Sequence, residues 1–313
     1  MQRHLKWILV AVMVLFAIVA VYPFIIGDME TLVLDDAARA AMPDASFVRL
    51  SDGYTHYEWG GPANGPTVVL VHGAGTPLFV WDYQFGALGK AGFHVLRYDL
   101  FGRGLSDRLR AYTADLYDRQ LLELLDSQKI KTPADVAGLS MGGAITIRFI
   151  DRHPERVRRF ALFAPVGFPT HFPLFTRIAC WPLLGEWLMK ALGDRVLISS
   201  MAHQMRKPEK VREYVQKWPQ QMKYKGFKRA MLSAGRDSSL FEMKQVYERA
   251  GKSGKPGILF WGTDDHSLPF AQHTLVQAAI PSIEFHAIEG EDHEMIFESP
   301  EAVNPLLIDF LKR

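Results

Sequence analysis

Gly138-Leu139-Ser140-Met141-Gly142 fits the pattern G-x-S-x-G, in which a sharp strand-to-helix turn lifts a serine hydroxyl clear of its neighbours. The run Asp135–Ala137 before it reads as a strand and Ala144–Ile150 after it as a helix. A serine hydroxyl is a weak nucleophile until a base removes its proton, and the base needs a third group to hold it. Two later segments can supply both. Gly262-Thr263-Asp264-Asp265-His266-Ser267-Leu268-Pro269 follows the strand-like run Gly257–Trp261, and Glu289-Gly290-Glu291-Asp292-His293-Glu294 follows Ile283–Ile288. Both lie at the carboxyl ends of strands, where open α/β sheets place their sites. The chemistry in prospect is nucleophilic attack on a carbonyl, with a carboxylate and a histidine in support.

The elements that must carry these residues alternate in type. Phe47–Leu50 and Thr55–Trp59 read as short strands joined at Ser51-Asp52-Gly53. Thr67–Val71 is a continuous β-branched run, typical of a strand buried on both faces. Phe93–Tyr98 and Val157–Phe163 are further strands, while Tyr112–Gln128 has helical spacing of Leu and Tyr and Pro300–Arg313 reads as a terminal helix. Strands alternating with helices predict an α/β fold, a mostly parallel sheet with helices on both faces.

Two segments stand outside this alternation. Trp7–Ile26 is uncharged over 20 residues, enough to cross a hydrocarbon core of about 30 Å. Arg3, His4 and Lys6 precede it and Asp28, Glu30, Asp35 and Asp36 follow, so the positive-inside bias puts the N-terminus in the cytoplasm. Residues 1–27 are therefore expected to be a signal-anchor helix, with a cleaved signal peptide as the alternative. Residues 28–46 read as a linker containing about one helical turn. The second exception, residues 167–239, has many Phe, Trp, Leu and Met and no convincing strand. It reads as a helical cap or lid between core segments 47–166 and 240–313. Between Gln204 and Arg236 it carries ten Lys or Arg against two Glu. That run reads either as a solvated helix face or as a face that meets anionic headgroups or acidic substrates.

Composition narrows the classes. Hydrophobic residues at 48% suffice for a core in one large domain, and a formal net charge of +2 singles out no partner. Cys180 is the only cysteine, so no intramolecular disulfide forms. No Cys/His cluster has zinc spacing, and there is no Walker loop or dinucleotide glycine run. No metal, no cofactor and no nucleic-acid partner are expected. No N-x-S/T sequon occurs, which fits a bacterial inner membrane with the hydrolytic domain facing the periplasm.

Taken together the motifs resemble those of the α/β-hydrolase superfamily over essentially everything from Phe47 to Arg313. Val71-His72-Gly73-Ala74-Gly75 resembles the loop after its third strand, and Asp99-Leu100-Phe101-Gly102-Arg103-Gly104-Leu105-Ser106 its D-x-x-G-x-G-x-S turn. The Ser140 elbow, His153-Pro154-Glu155-Arg156-Val157 and the Gly262–Pro269 and Gly290–Glu298 segments follow in the family's order. The resemblance implies Ser140 as nucleophile and His293 as general base. The family's spacing after the strand glycine implies Asp265 rather than Asp264 as the acid. Asp126 and Asp292 are distant alternatives. It implies an oxyanion hole from the backbone N–H groups of Met141 and Ala74, with Gly75 as another candidate for the second donor. His72 is expected to brace its loop, and His153, His266 and His286 to serve at the surface or in packing. Gly102 and Gly104 then belong to a buttressing turn rather than a phosphate loop. Trp81, Trp181, Trp187 and the Phe160–Phe175 region read as core or lid packing.

Serine at the elbow, where dehalogenases and many epoxide hydrolases of the superfamily carry Asp, implies an acyl-enzyme. The expected substrate is a carboxylic ester with a lipid-like acyl chain, and the layout is similar to that of membrane-anchored monoacylglycerol lipases. Carbon–carbon bond hydrolysis, amide hydrolysis and perhydrolysis use the same triad and stay open. So does a non-catalytic binding protein on the same scaffold.

Overall fold

The computed structural model describes residues 2–25, 28–170, 174–202 and 205–313. The far end of the expected anchor, at Ile26 and Gly27, lies outside the described residues, as does Gln204 at the start of the basic run. In chain order, α1 (Gln2–Ile25) and α2 (Asp36–Ala40) precede β1 (Ser46–Arg49), β2 (Tyr54–Gly60), β3 (Thr67–Val71), α3 (Asp82–Lys90) and β4 (His94–Tyr98). Next come α4 (Ala114–Ser127), β5 (Ala134–Leu139), α5 (Met141–Arg152) and β6 (Val157–Phe163). Among the described residues, five helices then follow without a strand: α6 (Leu174–Ala179), α7 (Leu184–Ala191), α8 (Gly193–Ala202), α9 (Pro208–Lys217) and α10 (Phe227–Arg236). The chain ends with α11 (Lys244–Lys252), β7 (Gly257–Gly262), α12 (His273–Ala279), β8 (Glu284–Ile288), α13 (Met295–Glu298) and α14 (Pro300–Lys312).

The eight strands form one sheet in the order β1-β2-β4-β3-β5-β6-β7-β8. β1 and β2 pair antiparallel, as do β2 and β4, and the rest of the sheet is parallel. This is the α/β-hydrolase fold. Val68 to Val71 are fully buried, as a central strand covered on both faces demands. Each such side chain removed from water contributes roughly 1.5–3 kcal/mol. Helix α4 shows how a helix is cut to length. The Thr113 hydroxyl accepts the Leu116 N–H at 3.2 Å, an N-cap that satisfies one of the free amides of the first turn. Its Tyr117, Leu121, Leu124 and Leu125 stripe is buried.

The register sets the site. Val71 lies opposite Tyr98 and Gly138, Leu139 opposite Phe163, and Gly262 opposite Ile288. The residues that follow these strand ends, including His72, Asp99, Ser140, Asp265 and His293, therefore all emerge at one edge of the sheet.

The segment expected to be a linker is strapped to the cap helices. Leu32 N–H donates to the Lys223 carbonyl at 2.8 Å, and Lys225 N–H to the Leu32 carbonyl at 2.9 Å. The Glu30 carboxylate accepts the N–H groups of Gly226 and Lys228, and Lys228 Nζ bonds Asp28 at 2.9 Å and Asp194 at 2.8 Å. The one helical turn is present as α2, capped by Asp35.

Part of the basic run is paired inside the molecule. Arg206 pairs with Asp264, Lys207 with Glu301, Lys217 with Asp82, Lys228 with Asp28 and Arg236 with Glu186. Lys210 Nζ sits 3.5 Å from the centroid of the Tyr83 ring, a cation–π contact. Three of these pairs, through Arg206, Lys207 and Lys217, tie the cap to core loops and helices. Among the described residues, half of the run's ten cations are thus paired with acids, and three of those pairs dock the helical segment onto the core.

Candidate active site

The elbow is built by close approach. A side chain at Gly138 would collide with the Gly142 carbonyl, and one at Gly142 with the Val71 carbonyl. Only glycine lets α5 start this near β3 and β5. Ser140 between them has φ +54° and ψ −117°, a left-handed conformation that costs a non-glycine residue on the order of 1–3 kcal/mol and is typical of functional sites. Its N–H donates to the Phe163 carbonyl at 2.8 Å, and its carbonyl accepts from Gly143 and Val166. Among the described residues its hydroxyl has no hydrogen-bond partner, and the side chain is half-buried.

Across the same sheet edge, His293 Nδ1 and Asp265 Oδ2 are 2.8 Å apart. The other Asp265 oxygen accepts the N–H groups of Ser267 and Leu268, each at 2.8 Å, so the carboxylate is fixed by its own loop. His293 is 6% exposed and Asp265 9%. Asp264 points elsewhere, to Arg206. With Asp265 accepting from Nδ1, the free Nε2 is the basic nitrogen of His293. Burial by itself would lower the imidazole's affinity for a proton. The Asp265 charge and hydrogen bond outweigh burial, with Glu294 and Asp292 adding to them, and the pKa is held at about 9.

The loop after β3 is pinned by its carbonyls. In a trans peptide the C=O and the next N–H point in opposite directions, so a donor on one carbonyl aims the following amide. Leu100 N–H donates to His72 Nε2 at 2.9 Å, which leaves the His72 proton on Nδ1, facing the Gly73 carbonyl at 2.8 Å. Burial, ahead of the opposing pull of Asp99, drives the His72 pKa down to about 4, so the ring is neutral. That bond aims the Ala74 N–H. Arg103 Nε donates to the Ala74 carbonyl and so aims the Gly75 N–H. Trp218 Nε1 and Gln221 Nε2 donate to the Gly75 carbonyl at 2.9 and 2.8 Å. The N–H groups of Ala74, Gly75 and Met141 donate to no described residue.

The turn after β4 buttresses this loop. Burial opposes the Asp99 charge, but bonds from His56 and from the backbone N–H of Leu78 override it and hold the carboxyl at about 2. Asp99 also accepts from Leu105 N–H at 2.8 Å, and a side chain at Gly104 (φ +47°) would run into the Asp99 carboxylate. The glycines here serve a tight turn around a carboxylate, which leaves no cradle for a phosphate.

The remaining candidates are accounted for. Asp126 pairs with Arg156, His153 lies 3.4 Å from Asp118, and His286 bonds Glu284. Asp292 accepts the His266 N–H and lies 2.7 Å from its Nδ1. Trp81 is fully buried, as packing residues are, but Trp181 is 60% exposed. The expectation that Trp181 packs in the core or lid is therefore corrected: the α6–α7 turn carries it away from the core. The Phe175 side chain lies outside what is described.

Four contributions were not foreseen. Glu294, next to His293, is buried, and its Oε2 has no partner among the described residues. Burial, only partly countered by His293, raises its pKa to about 7. Arg103 is fully buried and has no carboxylate partner among the described residues. Trp218 and Gln221 bring the cap onto the loop after β3, and Met201 of α8 covers it, with Sδ 3.3 Å from where a Gly75 side chain would begin. Arg103 and Glu294 sit inside recognised motifs, though nothing there marks them out; the contributions of Trp218, Gln221 and Met201 depend on contacts between distant segments. A cavity of about 550 Å³ beside Asp118 and His153 and one of about 340 Å³ beside His56 and Gln221 are lined by neither Ser140 nor His293.

The comparisons with known proteins agree with this architecture. The 2-hydroxy-6-oxononadienedioate/2-hydroxy-6-oxononatrienedioate hydrolase of Paraburkholderia phymatum is 25% identical over 293 residues, 88% of this chain and 99% of that protein. The enol-lactonase from Burkholderia xenovorans LB400 superposes with a TM-score of 0.71 at 24% identity, over 86% of this chain and 100% of that one. A thermophilic esterase from Thermogutta terrifontis does so with a TM-score of 0.71 at 20% identity, over 86% and 98%. Residues 63–300 match the family described as serine aminopeptidase, S33, and the chain belongs to that family of α/β-hydrolases.

Proposed function

We propose that this chain is a serine hydrolase that cleaves carboxylic esters with lipid-like acyl chains, monoacylglycerols among them, while anchored to a membrane by α1. The observation that carries the reaction is the buried 2.8 Å contact of Asp265 with His293 at the sheet edge where the Ser140 elbow emerges. Ser140 Oγ attacks the ester carbonyl as His293 Nε2 takes its proton. The N–H groups of Ala74 and Met141 hold the resulting oxyanion, each worth about 3 kcal/mol in the transition state. His293 then protonates the departing alcohol, and water cleaves the acyl-enzyme by the same steps in reverse. In a resting enzyme the nucleophile–base contact is commonly loose and tightens with substrate bound.

The membrane part rests on α1. Its stretch His4–Pro23 has a mean hydropathy of 2.5, and its described side chains are exposed except at Ala20 and Pro23, although length and composition suit a signal sequence equally. Hydrolysis of carbon–carbon bonds is the second reading, favoured by the Paraburkholderia relative's named activity. The purified full-length chain should hydrolyse p-nitrophenyl esters and monoacylglycerols at least about 100-fold faster, in kcat/KM, than 2-hydroxy-6-oxononadienedioate, a gap of about 2.7 kcal/mol. The opposite ranking would replace the ester reading with the second one.

Glu294 makes a separate prediction. His293 acts as a base only when unprotonated, so kcat/KM should rise with pH through its value of about 9. Glu294→Gln keeps the shape but removes a negative neighbour that stabilises the imidazolium. The acid limb of the pH profile should then move down by about one unit, and the rate at pH 7 should increase. Profiles of both proteins on a soluble ester test this, and superimposable limbs would remove Glu294 from the tuning of the base.

A further inference from the structure

Large apolar side chains exposed outside α1 are concentrated in one region. Leu174, Trp181, Leu183, Leu184, Leu192 and Val196 all belong to α6–α8 and their turns, and Leu32 and Val33 follow α1; Leu275 alone lies elsewhere among the described residues. Helix α7 packs against α1, so this face continues the apolar surface of the candidate span. The turn itself is built for something other than water. Trp181-Pro182-Leu183-Leu184 replaces the Gly, Asn or Asp usual in an exposed turn, and Leu183 is 86% exposed at φ +67°. The charges suit an anionic surface. The two acids between Leu174 and Val196 are each held by a cation, Glu186 by Arg236 and Asp194 by Lys228, while Arg177 and Arg195 are exposed.

We infer that the α6–α8 face of the cap rests in the lipid surface of the bilayer that α1 crosses, a deduction that builds on the anchor reading above. Apolar patches rimmed by basic residues beside a membrane span are the composition of an interfacial element, with Trp181 at headgroup depth. The consequence for the site is geometric. Helix α8 presents Val196 outward, while Leu197, Ile198 and Met201 pack inward, Met201 against the loop after β3. Helix α8 then lies between the lipid-facing Val196 and the loop after β3, which suits an acyl chain drawn from the bilayer.

The test uses the full chain, with Cys180→Ser to remove the only native thiol, reconstituted in vesicles of phosphatidylethanolamine and phosphatidylglycerol. Nitroxide labels go on Leu183→Cys, on Val14→Cys within α1 and on Leu275→Cys as an exposed apolar control. Their collision rates with oxygen and with a water-soluble nickel chelate are then compared. The Leu183 label should shift toward oxygen, with the same sign as Val14 and opposite to Leu275. A Leu183 label that reads like Leu275 while Val14 reads as lipid overturns this inference and leaves the anchor standing. A Val14 label that reads as water overturns the anchor, and Leu183 then still decides the cap face on its own. Dipolar broadening between Leu183 labels would put a second copy of the chain on this face and overturn the lipid assignment.

Discussion

Ser140→Ala should lower kcat on p-nitrophenyl esters by about 10⁴-fold or more, because every later step passes through the bond that Ser140 Oγ forms with the acyl carbon. Folding should hold. The side chain is half-buried and its hydroxyl makes no hydrogen bond among the described residues, while the backbone bonds of the elbow, from Ser140 N–H to Phe163 and from Val166 N–H to Ser140, do not involve it. Alanine inherits the same left-handed φ, so the strain at the elbow is unchanged. Thermal unfolding should shift by no more than the few degrees that correspond to about 1 kcal/mol. A fluorophosphonate should label the native protein once and the variant not at all. Turnover above roughly 1% of native in a folded variant would point to another nucleophile, since removing a triad serine elsewhere leaves only the small residual catalysis of the oxyanion site and substrate binding. Absence of labelling in well-folded native protein would favour the non-catalytic binding reading over the enzyme.

The elements around that serine were legible because their signals are local. Thr67–Val71 and Val157–Phe163 end where their β-branched and aromatic runs end, and the elbow glycines are dictated by backbone that approaches too closely for a side chain. The imidazole's bracing role at His72 followed from the motif in which it sits. Contacts between segments far apart in sequence were not legible. Nothing in residues 28–46 announces that Glu30 will receive the amides of Gly226 and Lys228, because a linker and a strap share the same composition. The basic run gave the same difficulty: its net charge is plain, but the acids that absorb it, Asp82, Asp264 and Glu301, lie in other segments. Trp181 departs from its expected packing for a related reason. An aromatic in a helical segment is usually packed, and only its place in the α6–α7 turn leaves it exposed. Glu294 carried no signal at all, since a glutamate after a histidine is ordinary until the fold buries it.

Asp264 and Asp265 show the limit most sharply, because adjacent carboxylates in one loop differ only in direction. Asp265→Asn should cut kcat/KM by about 10³- to 10⁴-fold, and Asp264→Asn should change it by less than about threefold. The first estimate follows from the tautomer. Asp265 Oδ1 receives Ser267 and Leu268 N–H groups, so an asparagine keeps its carbonyl there and turns its amide toward His293. An amide donating to Nδ1 forces the histidine proton onto Nε2, the nitrogen that must accept from Ser140. The base is then blocked while its geometry is retained. Its affinity for a proton also falls, since the Asp265 charge is the foremost influence raising it against burial. The second estimate follows from position. Asp264 Oδ2 meets Arg206 at 2.8 Å where both side chains are nearly half exposed, and such surface pairs contribute little. Steady-state kinetics of the two variants, with circular dichroism to establish that both fold, distinguish the carboxylates. A larger loss at Asp264 would mean that the loop after β7 rearranges on binding substrate and offers His293 the other acid. Equal small losses would mean that the imidazole holds its tautomer through Nδ1 without either carboxylate.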